Sequence, residues 1–184
     1  LGLYNEAIDD YQKAMELNSN YEEAKQALKQ TENNLDIHNF INSYSLMDNY
    51  SGKDSKYYFD KANSFHEEGK YKEAIVYYNK AIELNPNYTY AYNNRGNAKK
   101  NLGLYEEAIK DFNKAIKLDP DYSVSYYHRG LVKDDLGLYE EAIKDYDKAI
   151  KLNPNNSKAH YNRGLAKDNL GLYEEAIKDY DKAI

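Results

Sequence analysis

Cysteine and tryptophan are absent from this 184-residue chain, proline occurs three times, histidine four times and methionine twice. Without cysteine there is no disulfide and no thiolate metal ligand, which fits a reducing cytoplasm and a cysteine-free exported protein alike; the cytoplasm is the default. None of His38, His66, His128 and His160 has a second histidine three or four residues away, so no metal site on one helix is expected. His66-Glu67-Glu68 resembles the start of a zinc-protease motif, but Lys70 stands where the second histidine belongs. No run approaches the roughly 18 apolar residues of a membrane span, and the polar faces of the amphipathic segments are not basic, so no membrane insertion is expected. Lys and Arg (25) are outnumbered by Asp and Glu (31), giving a net charge of -6. The cations are spread along the chain, so counterion release on phosphates would be small and nucleic acid is not an expected partner.

What the chain has in abundance is tyrosine, 22 residues against four of phenylalanine. Aromatic bulk with a polar tip suits thin, partly wet interfaces. It also has a period. Pro86, Pro120 and Pro154 are spaced by 34 residues, as are Tyr71, Tyr105, Tyr139 and Tyr173, then Ala74, Ala108, Ala142 and Ala176, then Ala81, Ala115, Ala149 and Ala183. Within one period, Ala91, Tyr92, Gly96, Ala98 and Leu102 mark one helical face, and Tyr105, Ala108, Ile109, Phe112, Ala115, Ile116 and Leu118 mark a second. Gly103 separates the two helices and Asp119-Pro120 ends the second, since glycine tolerates left-handed dihedrals and proline cannot continue a helix. The unit is therefore an antiparallel helix pair. Gly96, Gly130 and Gly164 each cost about 1 kcal/mol inside the first helix. A close approach of the partner backbone is the expected compensation.

The columns Tyr92, Gly96, Tyr105, Ala108, Phe112, Ala115 and Pro120, recurring in register over residues 55 to 184, resemble the tetratricopeptide repeat signature. Tyr58, Tyr92, Tyr126 and His160 replace that family's usual Trp, and Arg95, Arg129 and Arg163 its Leu before the Gly; an Arg stem can cover apolar surface while its head stays wet. The resemblance implies an all-α, right-handed superhelical solenoid of antiparallel helix pairs, with a concave wall made mostly from the first helix of each pair. Its units would be 55-88, 89-122, 123-156 and a truncated 157-184.

Upstream the pattern falters. Residues 1-20 read as an orphan second helix carrying Tyr4, Ala7, Ile8, Tyr11, Ala14 and Leu17, with Ser19 where proline would stand. The chain starts at Leu1 inside a repeat, so a missing upstream part is expected. Residues 21-54 are a degenerate repeat or one long linker helix. The stripe Ile37, Phe40, Ile41, Tyr44 and Met47 keeps the register of later second helices and favours the degenerate repeat, although Phe40 occupies an alanine column and no glycine marks a turn. The polar stretch 50-55 is the expected hinge.

If the family geometry holds, the concave wall carries Phe59, Asn63, His66, Tyr90, Asn93, Asn97, Lys100, Val124, Tyr127, Leu131, Asp134, Lys158, Tyr161, Leu165 and Asp168. Aromatic anchors alternating with amides and single charges suit an extended or helical peptide. Chaperone-tail binders of the family use a carboxylate clamp whose places hold Phe59, Asn63, Asn94, Val124 and His128 here; one unit along they hold Asn93, Asn97, His128, Lys158 and Asn162. The leading cation is missing in both registers, so strong recognition of a Glu-Glu-Val-Asp tail is not expected. Catalytic residues and cofactors are not expected either. The acid pairs Glu106-Glu107, Glu140-Glu141 and Glu174-Glu175 repeat at helix starts, where negative charge is favourable. The expected role is a scaffold or adaptor for a protein or peptide, with no enzymatic activity. The alternative is a self-assembling scaffold joined through its ends, because Ile177, Tyr180 and Ile184 would be uncovered.

Overall fold

A computed structural model describes residues 2–17, 22–47 and 53–184. These residues form ten helices and no strand. The chain divides into two compact units, Leu1–Gly52 and Lys53–Ile184.

In the first unit α1 (Gly2–Leu17) packs along α2 (Glu22–Met47). Ala24, Ile37 and Ile41 are buried, and the rings of Tyr4 and His38 lie 5.4 Å apart. The favoured helix pair over 21–54 does not form: Glu22–Met47 is one uninterrupted helix. The reason is a single column. Every turn between paired helices in the second unit places a glycine at positive φ, at Gly69, Gly103, Gly137 and Gly171. One period before Gly69 stands Leu35, which is strained in that conformation, so the helix runs on. Phe40 is half-buried on this long helix and wedges no hairpin apart. Ser19 and most of the expected hinge, residues 50–52, lie outside the described residues.

The second unit is a stack of four helix pairs: α3 (Ser55–Glu67) with α4 (Tyr71–Leu84), α5 (Thr89–Asn101) with α6 (Tyr105–Leu118), α7 (Ser123–Asp135) with α8 (Tyr139–Leu152), and α9 (Ser157–Asn169) with α10 (Tyr173–Ala183). Each first helix ends in the same way. Gly103 N–H bonds the Lys100 carbonyl at 2.9 Å and Leu104 N–H bonds the Lys99 carbonyl at 3.0 Å, closing the last turn while glycine takes φ 77°. The second helices α4, α6 and α8 each end before a proline turn, as where Tyr88 N–H reaches the Asn85 carbonyl across Pro86.

Glycine in the first helices makes room for a ring, not for backbone. A Cβ on Gly96 would lie 2.8 Å from Phe112 Cε1, and one on Gly130 would lie 2.7 Å from Tyr146 Cε1. Phe112, Tyr146 and the alanines Ala108, Ala115, Ala142 and Ala149 are fully buried, so the α5–α6 and α7–α8 pairs each close on an aromatic ring seated over glycine; in the α3–α4 pair the glycine column holds Ala62.

The arginine column also departs from expectation. The heads of Arg95, Arg129 and Arg163 are not solvated but grip buried aspartates 16 residues on, Asp111, Asp145 and Asp179. The remaining arm of each guanidinium reaches back 16 residues to Asn79, Asn113 or Asp147 on the preceding second helix. Lys99, Lys133 and Lys167 add a second cation to the same aspartates at 2.9–3.0 Å. In the α3–α4 pair these columns hold Lys61, Phe65 and Tyr77, and a different contact forms: Phe65 stacks on Tyr77 at 5.2 Å and Lys61 Nζ sits 4.3 Å from the Tyr77 ring centre.

Candidate functional site on the first helices

Successive first helices approach one another, α3 to α5, α5 to α7 and α7 to α9, whereas no two second helices of this unit come into contact. The stack therefore bends toward its first helices, and their free faces form its inner wall. Of the residues expected there, Tyr90, Lys158, Tyr161 and Asp168 are exposed. Phe59, Asn63, His66, Asn97, Lys100, Val124, Tyr127, Leu131, Asp134 and Leu165 are half-buried. Asn93 is only 1% exposed.

Burial of Asn93 belongs to a polar ladder that crosses four helices. Tyr78 Oη donates to Asn63 Oδ1 at 2.6 Å, and Asn94 Nδ2 donates to the same oxygen at 3.0 Å. Asn93 Nδ2 donates to Asn94 Oδ1, while Asn93 Oδ1 accepts from Ser125 Oγ at 3.1 Å and lies 3.3 Å from His128 Nδ1. A buried amide needs such partners, and these satisfy it. Asn93 and Asn63 thus register one pair against the next, and Asn93 offers nothing to a ligand. Ser125, which no sequence pattern singled out, is the buried end of the ladder.

Farther along, three expected residues converge. Tyr127, Lys158 and Tyr161 line an open recess of about 330 Å³ together with Ser157, Asn162 and Ala183. Tyr161 is 50% exposed. Its ring lies 5.7 Å from that of Tyr180, which props it from behind. Asn162 Nδ2 donates to Tyr127 Oη at 3.0 Å, bridging α7 and α9. Burial raises the Tyr127 hydroxyl above its usual range, partly offset by that bond, so it stays a neutral donor at neutral pH. The recess is aromatic-walled with one ammonium at its edge, which fits a peptide side chain and backbone. Ser157 and Ala183 were not expected as its lining; Asn162 stood only among the places of the second clamp register.

The remaining sites are structural. His160 is buried, with Nε2 3.1 Å from the Pro154 carbonyl, which fits packing in an aromatic column. Glu107, Glu141 and Glu175 lie 3.3 Å from Lys99, Lys133 and Lys167, in the first turns of their helices. Among the described residues no three acidic or histidine side chains are grouped to hold a metal ion, and no helix is long and apolar enough to cross a membrane.

Paired helices stacked at a 34-residue step, with glycine-seated rings inside and a shared inner wall, define a helical-repeat solenoid. Family descriptions of the tetratricopeptide repeat match residues 1–21, 62–103, 89–122, 112–144 and 135–171. The chain belongs to the tetratricopeptide repeat family. No curated protein matches the chain significantly. Among solved structures, MamA is similar at 25% identity and TM-score 0.66, covering 99% of this chain and 87% of MamA. The first repeat domain of Spaghetti (RPAP3), solved with the HSP90 peptide SRMEEVD, is 32% identical at TM-score 0.62, covering 64% of this chain and 93% of that domain. The Arabidopsis OM64 repeat domain is 28% identical at TM-score 0.61, covering 62% of this chain and 94% of that domain. The chain is a protein–protein interaction scaffold, built on a fold that generally serves as a non-enzymatic one.

Proposed function

We propose that the Lys53–Ile184 unit works as an adaptor that takes a peptide segment of a partner protein along the inner wall of its first helices. The observation that carries this reading is the recess between α7 and α9, where Tyr127, Lys158 and Tyr161 converge with Asn162. Tyrosine supplies large contact area at small entropic cost, and the half-exposed Tyr161 ring is the anchor. Asn93, whose amide is already spent on the ladder, contributes shape and not affinity.

The peptide is not a chaperone tail of the kind seen with the RPAP3 domain. At the clamp places that call for a lysine, Phe59 and Val124 carry no charge. A peptide ending in Glu-Glu-Val-Asp should bind with millimolar or weaker affinity at neutral pH, and low-micromolar binding contradicts this part of the reading. Affinity capture from native extract, repeated with folded Tyr127→Ala and Tyr161→Ala variants, tests the adaptor role. Loss of the captured partner supports it; an undiminished set from both variants excludes the inner wall.

A second reading is self-assembly through α10, on which Tyr173 and Ile177 are 64% and 58% exposed. Sedimentation over a concentration range separates the two. A monomer at tens of micromolar that takes up peptide supports the adaptor, and growth with concentration supports assembly.

A further inference from the structure

Four successive first helices each carry one aromatic ring near the start of the helix. Phe59 is the fifth residue of α3, Tyr90 the second of α5, Tyr127 the fifth of α7 and Tyr161 the fifth of α9. The second and fifth places share a face, because on α9 they hold Lys158 and Tyr161, which line the same recess. Each ring is braced from outside its own helix. Phe59 lies 4.8 Å from Tyr88, Tyr90 meets Tyr122 edge-on at 5.1 Å, Tyr127 Oη accepts from Asn162, and Tyr161 rests 5.7 Å from Tyr180. Tyr90 and Tyr161 are nevertheless half exposed.

We propose that these four rings are the rungs of a track for a proline-rich segment in the polyproline II conformation, with a proline at every third residue. The proposal rests on the inner-wall reading above and names the class of peptide that the wall takes. Step length decides between peptide conformations. Packed helix axes stand about 8–10 Å apart, so a segment crossing the first helices meets a ring at about that interval. One polyproline II turn advances about 9 Å over three residues and returns the same face to the wall. A strand repeats a face every ~7 Å and two turns of a helix advance ~11 Å, so both drift off the rungs.

Hydrogen bonding is complementary in the same sense. Asn162 Nδ2 donates to Tyr127 Oη, which leaves the hydrogen of that hydroxyl to be donated to a ligand. Lys158 and Ser157 bring further donors into the recess. Proline carries a carbonyl and no N–H, so a proline-rich segment supplies acceptors here without burying donors of its own. Such a segment is also ordered before it binds, and little chain entropy is lost when it settles on a rigid set of rungs.

The test follows the ring resonances of Tyr90, Tyr127 and Tyr161 in the full chain, titrated with two uncharged isomers, acetyl-Pro-Ala-Ala-Pro-Ala-Ala-Pro-amide and acetyl-Ala-Ala-Pro-Pro-Pro-Ala-Ala-amide. The spaced isomer should perturb all three rings and bind roughly 10-fold tighter than the clustered one, which can set a proline on only one rung at a time. Tyr90→Ala should weaken the spaced isomer about 10-fold, and Tyr90→Phe, which keeps the ring, should leave it unchanged. A clustered isomer that binds as tightly as the spaced one overturns the track, as does a spaced isomer indifferent to Tyr90→Ala. If neither isomer moves a ring while capture of the partner still depends on Tyr161, the track falls and the inner wall stands; if capture is indifferent to Tyr127 and Tyr161 as well, both fall.

Discussion

Arg129 grips Asp145 with two parallel hydrogen bonds, Nε donating to Oδ2 at 2.8 Å and Nη2 donating to Oδ1, while its third arm holds Asn113 of the preceding pair. One side chain on α7 thereby ties together α6, α7 and α8. The aspartate is 4% exposed, so its charge depends on these partners.

Replacing Asp145 by alanine leaves the half-buried Arg129 with Asn113 alone and the half-buried Lys133 with Glu141 alone, and should cost about 3 kcal/mol. Arg129→Ala should cost somewhat less, because Lys133 still pairs with Asp145 at 2.9 Å. The α3–α4 pair shows how the same columns work without an ion pair, using Lys61, Phe65 and Tyr77. Transplanting that set as Arg129→Lys, Lys133→Phe and Asp145→Tyr should lose less stability than Asp145→Ala alone. Urea denaturation decides it; a triple variant at least as damaged as the single one shows that the two solutions are not interchangeable.

Gly130 should not accept alanine. Better helix propensity contributes about 1 kcal/mol, but the new Cβ meets the Tyr146 ring at 2.7 Å, and overpacking a closed core typically costs 1–3 kcal/mol. Gly130→Ala should be destabilising in wild-type background and nearer neutral in Tyr146→Leu, where the ring is gone. A double-mutant cycle with no coupling between the two positions contradicts the ring-over-glycine account.

Acid should weaken the fold in two stages with different owners. His128 is held at about 4 in the folded chain against about 6.5 when unfolded, so only the unfolded state gains its proton as pH falls through that interval. Stability should decline by on the order of 2 kcal/mol between about pH 6.5 and pH 4, and His128→Gln should remove most of that slope, the rest belonging to His66, which burial also lowers. Asp179 acts lower down. Burial opposes its charge, but hydrogen bonds from Arg163 and Lys167 outweigh that and keep its carboxyl below the ordinary range. Its contribution is present above about pH 4 and lost as pH drops through the folded value; Asp179→Asn should flatten that second stage. Thermal melts across pH that show neither slope would contradict both assignments.

The hairpins were legible because glycine, proline and alanine columns recur at one step, and a periodic sequence can repeat only one local structure. The arginine columns were read singly, as stems with wet heads. Their meaning lies in a pairing with aspartates 16 residues away, which becomes visible only when the two helices are folded back on each other. Gly96 announced a close approach, but glycine alone cannot say whether backbone or a ring fills the space. At Leu35 the signal was present and outweighed: the apolar stripe after it kept register, yet a hairpin needs a residue that tolerates positive φ, and leucine does not. The inner wall was legible as a stripe of positions. Which amides remain for a ligand was not, since Asn93 differs from Asn97 only in the Ser125 and His128 that fold against it.

The inner wall as binding surface is tested most directly by a photo-crosslinking residue placed at position 161 and, separately, at the exposed Lys144 on α8. Irradiation in native extract should join a partner to the chain from position 161 and not from position 144. Adducts that form from position 144 while position 161 yields none would contradict the account.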